Sequence, residues 1–322
     1  MILPYTLRLL CLCFASFFLV HAALGVTAWI ATQSATRIGE SMRPRSGARF
    51  LLTLRLLPVT LAVFAVLAFC IPSYLWLETN EATERVGLAC CAMALLGAVV
   101  CASSLIRSVR ALWLSLRHSM GYQREGWRAH STSLPVTVVN SDAPVLALTG
   151  LVRPRITVSR GVLQTLSQEE LEAALAHEHA HHKSGDNWKR LALLLAPDIF
   201  PFSQAFARLN RSWAKLIEWA ADDDATAGDA RRSVSLASAL VHIARLGATA
   251  ASPLASGFLK NDDELPARVN RLLGLAAQQA SPRRARVTLS SVMALAISLA
   301  VAAMIWPGTL SSVHRLLEQL LR

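Results

Sequence analysis

The stretch Ala176-His177-Glu178-His179-Ala180-His181-His182 contains H-E-x-x-H at His177, Glu178 and His181. On a helix, His177 and His181 stand at i and i+4, one above the other on one face. Two imidazoles placed in this way can share one ion, and zinc favours such nitrogen donors. Glu178 falls about 100° round the helix, where it meets a water on the ion rather than the ion itself. The local signals predict a helix over about 168–183. Ser167 and Glu170 form a capping box, with Leu166 and Leu171 at the hydrophobic-staple positions. Leu171, Ala174, Leu175 and Ala180 give apolar spacing, and Gly185 ends the helix.

A catalytic zinc site needs a third protein ligand and an open position. Glu218-Trp219-Ala220-Ala221-Asp222 supplies candidates on a predicted helix of about 209–227, whose apolar positions are Trp213, Leu216, Ile217 and Ala220. Glu218 and Asp222 are again i, i+4. One carboxylate can bind the ion while the other holds a ligand histidine from behind. H-E-x-x-H alone also occurs on ordinary solvated helix ends. A second helix with its own metal-facing pair is what favours a metal centre.

The composition is that of a membrane protein. Of 322 residues, 53% are hydrophobic and only 16% charged, against about 25% charged in soluble domains; mean hydropathy is +0.41. The net charge of +11 comes from arginines beside apolar runs, a positive-inside pattern. No recognition helix lies among them, so direct nucleic-acid binding is not expected. All six cysteines (Cys11, Cys13, Cys70, Cys90, Cys91, Cys101) lie in apolar segments and read as small packing residues.

Three apolar runs, about 9–31, 50–77 and 86–106, are long enough to span a bilayer. A cleaved signal peptide competes for the first, since Arg8 precedes it and Val20-His21-Ala22-Ala23 resembles a cleavage site. An uncleaved span is favoured because it leaves the basic loop 32–50 inside. Loop 78–86 carries Glu78, Glu81 and Glu84 and reads as external. Residues 107–118 read as an amphipathic continuation of the third run, with a basic face that lies on the membrane surface. A fourth span is expected at 287–306, after Arg283, Arg284 and Arg286, followed by a short amphipathic tail at 307–322. The arginine counts put the N-terminus outside and residues 129–286 in the cytoplasm, in a multi-pass protein of the cell (inner) membrane.

Between the spans, 136–139, 145–149 and 156–158 are short β-branched runs that predict a small sheet. The run 191–206 is broken by Pro197 and Pro201 and is expected to be a buried or membrane-dipping hairpin, because a crossing there would separate the two metal helices. Residues 229–286 read as helical, with a Gly/Ser/Pro-rich loop at 247–257. The fold class is therefore a mainly α membrane protein of about four spans, carrying an α+β metallopeptidase domain at 129–286.

These motifs resemble the integral-membrane zinc metallopeptidases of the beta-lactam-sensing antirepressor type (BlaR/MecR-like). The resemblance is carried by Pro154-Arg155-Ile156-Thr157-Val158-Ser159-Arg160-Gly161, by Leu166 to Glu178, by His181 with Gly185-Asp186-Asn187, and by Glu218 to Asp222. It covers about 130–280. It implies that His177, His181 and Glu218 bind Zn2+, that Glu178 is the catalytic base, and that Asp222 and Asp186 stand behind the ligands. The substrate it implies is a protein or peptide, with a cytoplasmic transcriptional repressor or the chain itself as targets. The chain ends about 15 residues beyond Trp306, so the external penicillin-binding sensor of the founding members is expected to be absent, and antibiotic sensing does not carry over.

A substrate peptide is expected to add as a strand along 145–149. His179, His182 and His242 are the candidates for oxyanion stabilisation, with the first two pointing off the metal face; His21, His118, His130 and His314 read as structural or surface residues. Two other readings remain. A quality-control or processing protease of the HtpX or CAAX-prenyl-protease type shares both motifs, but the 37 residues from His181 to Glu218 are few for that group. A non-catalytic membrane transducer with structural zinc would have no need of Glu178.

Overall fold

The computed structural model describes residues 4–77, 86–129, 135–141, 144–198, 204–247, 256–257 and 265–277, with isolated positions at 312, 315, 316 and 319. The expected fourth span at 287–306, most of the 307–322 tail, His130 and His314 fall outside the described residues.

Three helices, Tyr5–Ser41, Pro44–Trp76 and Leu88–Tyr122, are long and apolar enough to cross a membrane. The first is α1, Tyr5–Ser41. The second comprises α2 (Pro44–Ala65), one π-helical turn (Val66–Cys70) and α3 (Ile71–Leu77). The third is α4, Leu88–Glu125. The expected basic loop at 32–50 is almost wholly helical, and only Met42 and Arg43 link α1 to α2. Residues 107–118 continue the third helix: α4 runs through them without a break for 38 residues, about 57 Å, so its basic end projects beyond a ~30 Å hydrocarbon core. Neither helix meets a proline or a C-cap glycine at the edge of its apolar run, so the backbone ladder continues where hydropathy alone suggested a boundary.

Small residues let these helices approach closely. A Cβ at Gly47 would lie 2.1 Å from the Gly39 backbone oxygen, and one at Gly97 would lie 2.4 Å from that of Phe14. Leu12, Ala15, Ala62, Cys70, Tyr74 and Cys90 fill the interior of the bundle, and all six cysteines are free.

The domain is built on a five-stranded sheet of order β1-β2-β4-β3-β5. The strands are β1 Trp127–Ala129, β2 Val136–Val139, β3 Leu146–Thr149, β4 Arg155–Ser159 and β5 Ser256–Gly257. β2 and β4 are parallel; β3 is antiparallel to β4. β2 and β3 are buried throughout, which explains their continuous rather than alternating apolar runs. The helices α5 (Arg160–Thr165), α6 (Gln168–Ser184), α7 (Asp186–Leu195), α8 (Gln204–Thr226), α9 (Ala230–Arg245) and α10 (Leu265–Ala277) complete it. Val138, Leu148, Val158, Ala174, Leu236, Leu240 and Leu272 join the sheet to α6, α9 and α10 in one core. β5 falls inside the stretch expected to be loop, 247–257, and pairs with β3 at Ala147 and Leu148. The edge expected to receive a substrate strand is therefore already engaged at those two residues.

The break expected in 191–206 is present. α7 has ten residues, about 15 Å, which is too short to cross. The turn after it is held among the membrane helices. Arg55 of α2, 2% exposed, donates to the Ala196 carbonyl and to Asp198; Arg107 of α4 lies 3.6 Å from Asp198. His21 of α1 hydrogen-bonds the Pro197 carbonyl at 3.2 Å. A second junction joins Ala35, Ala48 and Leu51 of α1 and α2 to Leu209, Trp213, Leu216 and Ile217 of α8. The helix that carries Glu218 thus rests directly on the membrane helices.

Gly47→Ala is expected to destabilise the protein by about 1–3 kcal/mol, because its new methyl meets backbone rather than a movable side chain. Gly121→Ala, in α4 with nothing within 4 Å, should be neutral or stabilising by up to about 1 kcal/mol. Thermal unfolding of both variants in detergent checks the contrast.

Candidate metal centre

The helix that carries H-E-x-x-H begins with the capping box expected for it: Glu170 N–H donates to the Ser167 hydroxyl, and Ser167 N–H to the Glu170 carboxylate. It ends at Gly185, whose φ of 66° is left-handed, a conformation that costs glycine little. This turn starts α7 at once and folds Asp186 back onto the helix it has just left. His181 Nδ1 and Asp186 Oδ2 are 2.7 Å apart. On the neighbouring α8, Asp222 Oδ1 lies 3.0 Å from His177 Nδ1. Each outer ring nitrogen is therefore held by an aspartate, which leaves both Nε2 atoms facing inward, 3.1 Å apart.

Glu218 completes the group. Its Oε2 lies 3.4 Å from His177 Nε2 and 3.5 Å from His181 Nε2. His177, His181 and Glu218 each offer one atom to a cluster within 4.8 Å and could hold a metal ion. Both histidines and Glu178 are fully buried. Glu178 Oε2 accepts from Leu148 N–H at 2.8 Å, so β3 fixes the glutamate. Asn187 donates to the Gly150 carbonyl at 3.1 Å and ties α7 to the same strand.

Sequence reading missed two cations. Arg190 of α7 donates to Glu218 Oε1 at 3.3 Å. Arg268 of α10 grips Asp222 with both arms of its guanidinium, at 3.0 and 2.6 Å, and lies 3.4 Å from Glu218 Oε2. Both are buried. A signal for Arg268 was present: it shares a helix face with Leu265, Val269 and Leu272, which pack on the core, and a charge on an apolar face needs a buried partner. The signal for Arg190 is the reversed amphipathicity of α7, with Asp186, Asn187 and Arg190 buried and Trp188 and Leu195 exposed. His242 lies elsewhere, with Nδ1 3.1 Å from Glu170 Oε1. His179 and His182 are partly exposed, with their rings 6.1 Å apart and tilted at 52°, away from the cluster. His21 is structural, and His118 is exposed.

Four carboxyl groups (Glu178, Asp186, Glu218, Asp222) thus lie buried against two buried guanidinium groups, with Lys189 at the rim on Asp186. The excess negative charge shows in the histidines. Burial opposes a charged His181, but Glu218 and Asp186 outweigh it and push the imidazole up to about 10. His177 is raised in the same way, its burial outweighed by Asp222 and Glu218. Burial would raise Asp222, but Arg268 and then His177 hold it at about 2. Glu218 is held well below the carboxylate range against its burial, chiefly by His181. Glu178 is raised, because burial outweighs the pull of both histidines. Protons on the imidazoles thus carry positive charge that a divalent ion can supply instead, and this donor set fits such an ion.

A helical membrane bundle that presents two histidines and a glutamate to one buried point defines a class: a membrane-associated metallopeptidase. The profile of the family described as BlaR1 peptidase M56 matches residues 78–272, more than half of the chain, and the chain belongs to that family. No curated protein matches it. The matched stretch runs from before α4 to Leu272 of α10, and so includes Arg268.

Arg268→Met leaves buried Asp222 with His177 as its remaining partner and should destabilise the fold by about 3–5 kcal/mol. Asp222→Asn in the same chain should restore most of that loss, which chemical unfolding of the single and double variants measures. Loading of a divalent ion should release protons, and its apparent affinity should rise with pH up to about 10, where metal-free His181 loses its proton. Calorimetry in buffers of different ionisation enthalpy reads both effects.

Proposed function

We propose that the chain is a zinc-dependent endopeptidase that hydrolyses peptide bonds of a cytoplasmic or membrane protein. The observation that carries this reading is the spacing of the three inward atoms. Ligands at about 2.0–2.1 Å from a tetrahedral ion lie about 3.3 Å from one another. Here the separations are 3.1, 3.4 and 3.5 Å. Two imidazoles and one carboxylate are also the donor set that leaves catalytic zinc one open position. His177, His181 and Glu218 are the proposed ligands. Asp222 and Asp186 fix the ring orientation of the two histidines, and Arg190 and Arg268 hold Glu218 and Asp222 in place.

When bound, zinc polarises the scissile carbonyl and acidifies the attacking water. Glu178 is the proposed general base: it takes the proton of that water and delivers it to the leaving amine. Its place on the Leu148 N–H supports the role, because that hydrogen bond fixes the carboxylate beside the two histidines. Its raised proton affinity brings it nearer to the neutral range in which a base works best.

The proposed setting is the cell membrane, with the N-terminus outside and the domain facing the cytoplasm, as the arginine distribution indicates. A transcriptional repressor, as in the antirepressor members that the sequence resembles, is the proposed kind of target. The chain itself is a second target, supported by β5: Ser256–Gly257 is paired along β3 opposite Leu148, the residue that holds Glu178.

Glu178→Gln decides the matter. Detergent-purified protein should carry one zinc per chain in wild type and variant alike, while cleavage of an unfolded substrate, or of the chain itself, falls by at least about 100-fold in the variant. Equal cleavage by both proteins would remove Glu178 from the chemistry. Zinc without cleavage in either would favour a transducer with a structural ion.

A further inference from the structure

Outside the metal centre, a cavity of about 200 Å³ opens where the first turns of α2 meet α6, α7 and α8. Its lining is two-faced. Arg45, Arg49, Lys183 and Lys189 contribute four cations, with the Ser184 hydroxyl among them; Ala48, Leu52, Trp213 and Ile217 contribute an apolar floor. Two of the cations are already satisfied. Arg45 pairs with Asp224 at 2.9 Å, and Lys189 with Asp186, another lining residue, at 2.7 Å. Arg49 and Lys183 have no acidic partner among the described residues. A further polar group is unanswered. Trp213 is 3% exposed, yet its indole N–H has no acceptor among those residues.

The position of the cavity narrows the choice of ligand. Arg45 and Arg49 lie just before Phe50, where the apolar run of this helix begins. They therefore sit at the headgroup level of a span, and the floor at Leu52 continues the apolar surface of that span. Basic pockets between spans at this level suit anionic lipid headgroups. A free anion has no use for the apolar floor, and a zwitterionic lipid has little use for two unpaired cations. We propose that this cavity binds one anionic phospholipid, with its phosphate on Arg49 and Lys183 and its glycerol end against Leu52 and Trp213. Asp186 ties the cavity wall to His181, so the lipid sits one residue away from the metal centre. The proposal does not depend on what that centre catalyses.

The test is native mass spectrometry of the full chain in detergent with dioleoyl-phosphatidylglycerol or dioleoyl-phosphatidylcholine added. Wild type should retain one phosphatidylglycerol under conditions that strip phosphatidylcholine. Each lost cation near a membrane surface weakens anionic lipid binding by about fivefold, so Arg49→Gln with Lys183→Gln should weaken it about 30-fold. Arg49→Lys with Lys183→Arg, which keeps both charges, should restore retention. The single Gln variants, each about fivefold weaker, keep the test decisive if the double variant does not fold. Three results would overturn the proposal: retention unchanged in the Gln variants, equal retention of phosphatidylcholine, or displacement of the lipid by millimolar inorganic phosphate, which would make the site one for a free anion.

Discussion

Buried negative charge sets the terms for the whole domain. Carboxylates cannot stay ionised in a low-dielectric interior without partners, and Asp186, Glu218 and Asp222 do stay ionised here. Three elements are recruited to achieve it. α6 brings the histidines, α7 brings Arg190, and α10 brings Arg268. Removing any of these cationic partners leaves a charge that packing alone does not compensate. The network thus fixes the relative placement of four helices more tightly than their apolar contacts require.

The same helices are coupled to the membrane region at two places. At the first, a Cβ at Gly47 of α2 would meet the α1 backbone and Leu216 of α8 at once, so the hairpin of the first two membrane helices bears on the helix that carries Glu218. At the second, residues 196–198 after α7 are gripped by His21, Arg55 and Arg107, one residue from each long helix. Polar side chains at membrane depth are costly unless they serve a purpose. Here Arg55 and His21 satisfy the carbonyls of Ala196 and Pro197, which no helix ladder can reach, and Arg107 lies against Asp198. A rearrangement of the long helices would therefore pass to the middle of α8 and to the end of α7.

α7 shows how this placement reverses an ordinary rule. Its polar residues Asp186, Asn187 and Arg190 face inward, while Trp188 and Leu195 face out. In a soluble domain such a helix would be inside out. It makes sense where the interior is a charged centre.

The features that depend on near neighbours were legible in the sequence. H-E-x-x-H places two imidazoles on one face because the helix repeats every 3.6 residues, and the capping box and Gly185 fix where that helix starts and stops. Glu218 and Asp222 follow from the same periodicity, the apolar runs from the thickness of a bilayer, and the break in 191–206 from its prolines. Only the tertiary structure decided what meets across the chain. Arg268 reaches Asp222 over 46 residues, and no local period encodes that distance. Which oxygen of each carboxylate faces the centre is set by Arg190, Arg268 and the strand N–H of Leu148. The occupant of the β3 edge was decided the same way, because a two-residue strand such as Ser256–Gly257 has no pattern of its own and exists only through its partner. The continuity of α1 beyond its apolar run belongs with these, since a helix persists into water when neighbouring elements pack against it, whatever its hydropathy.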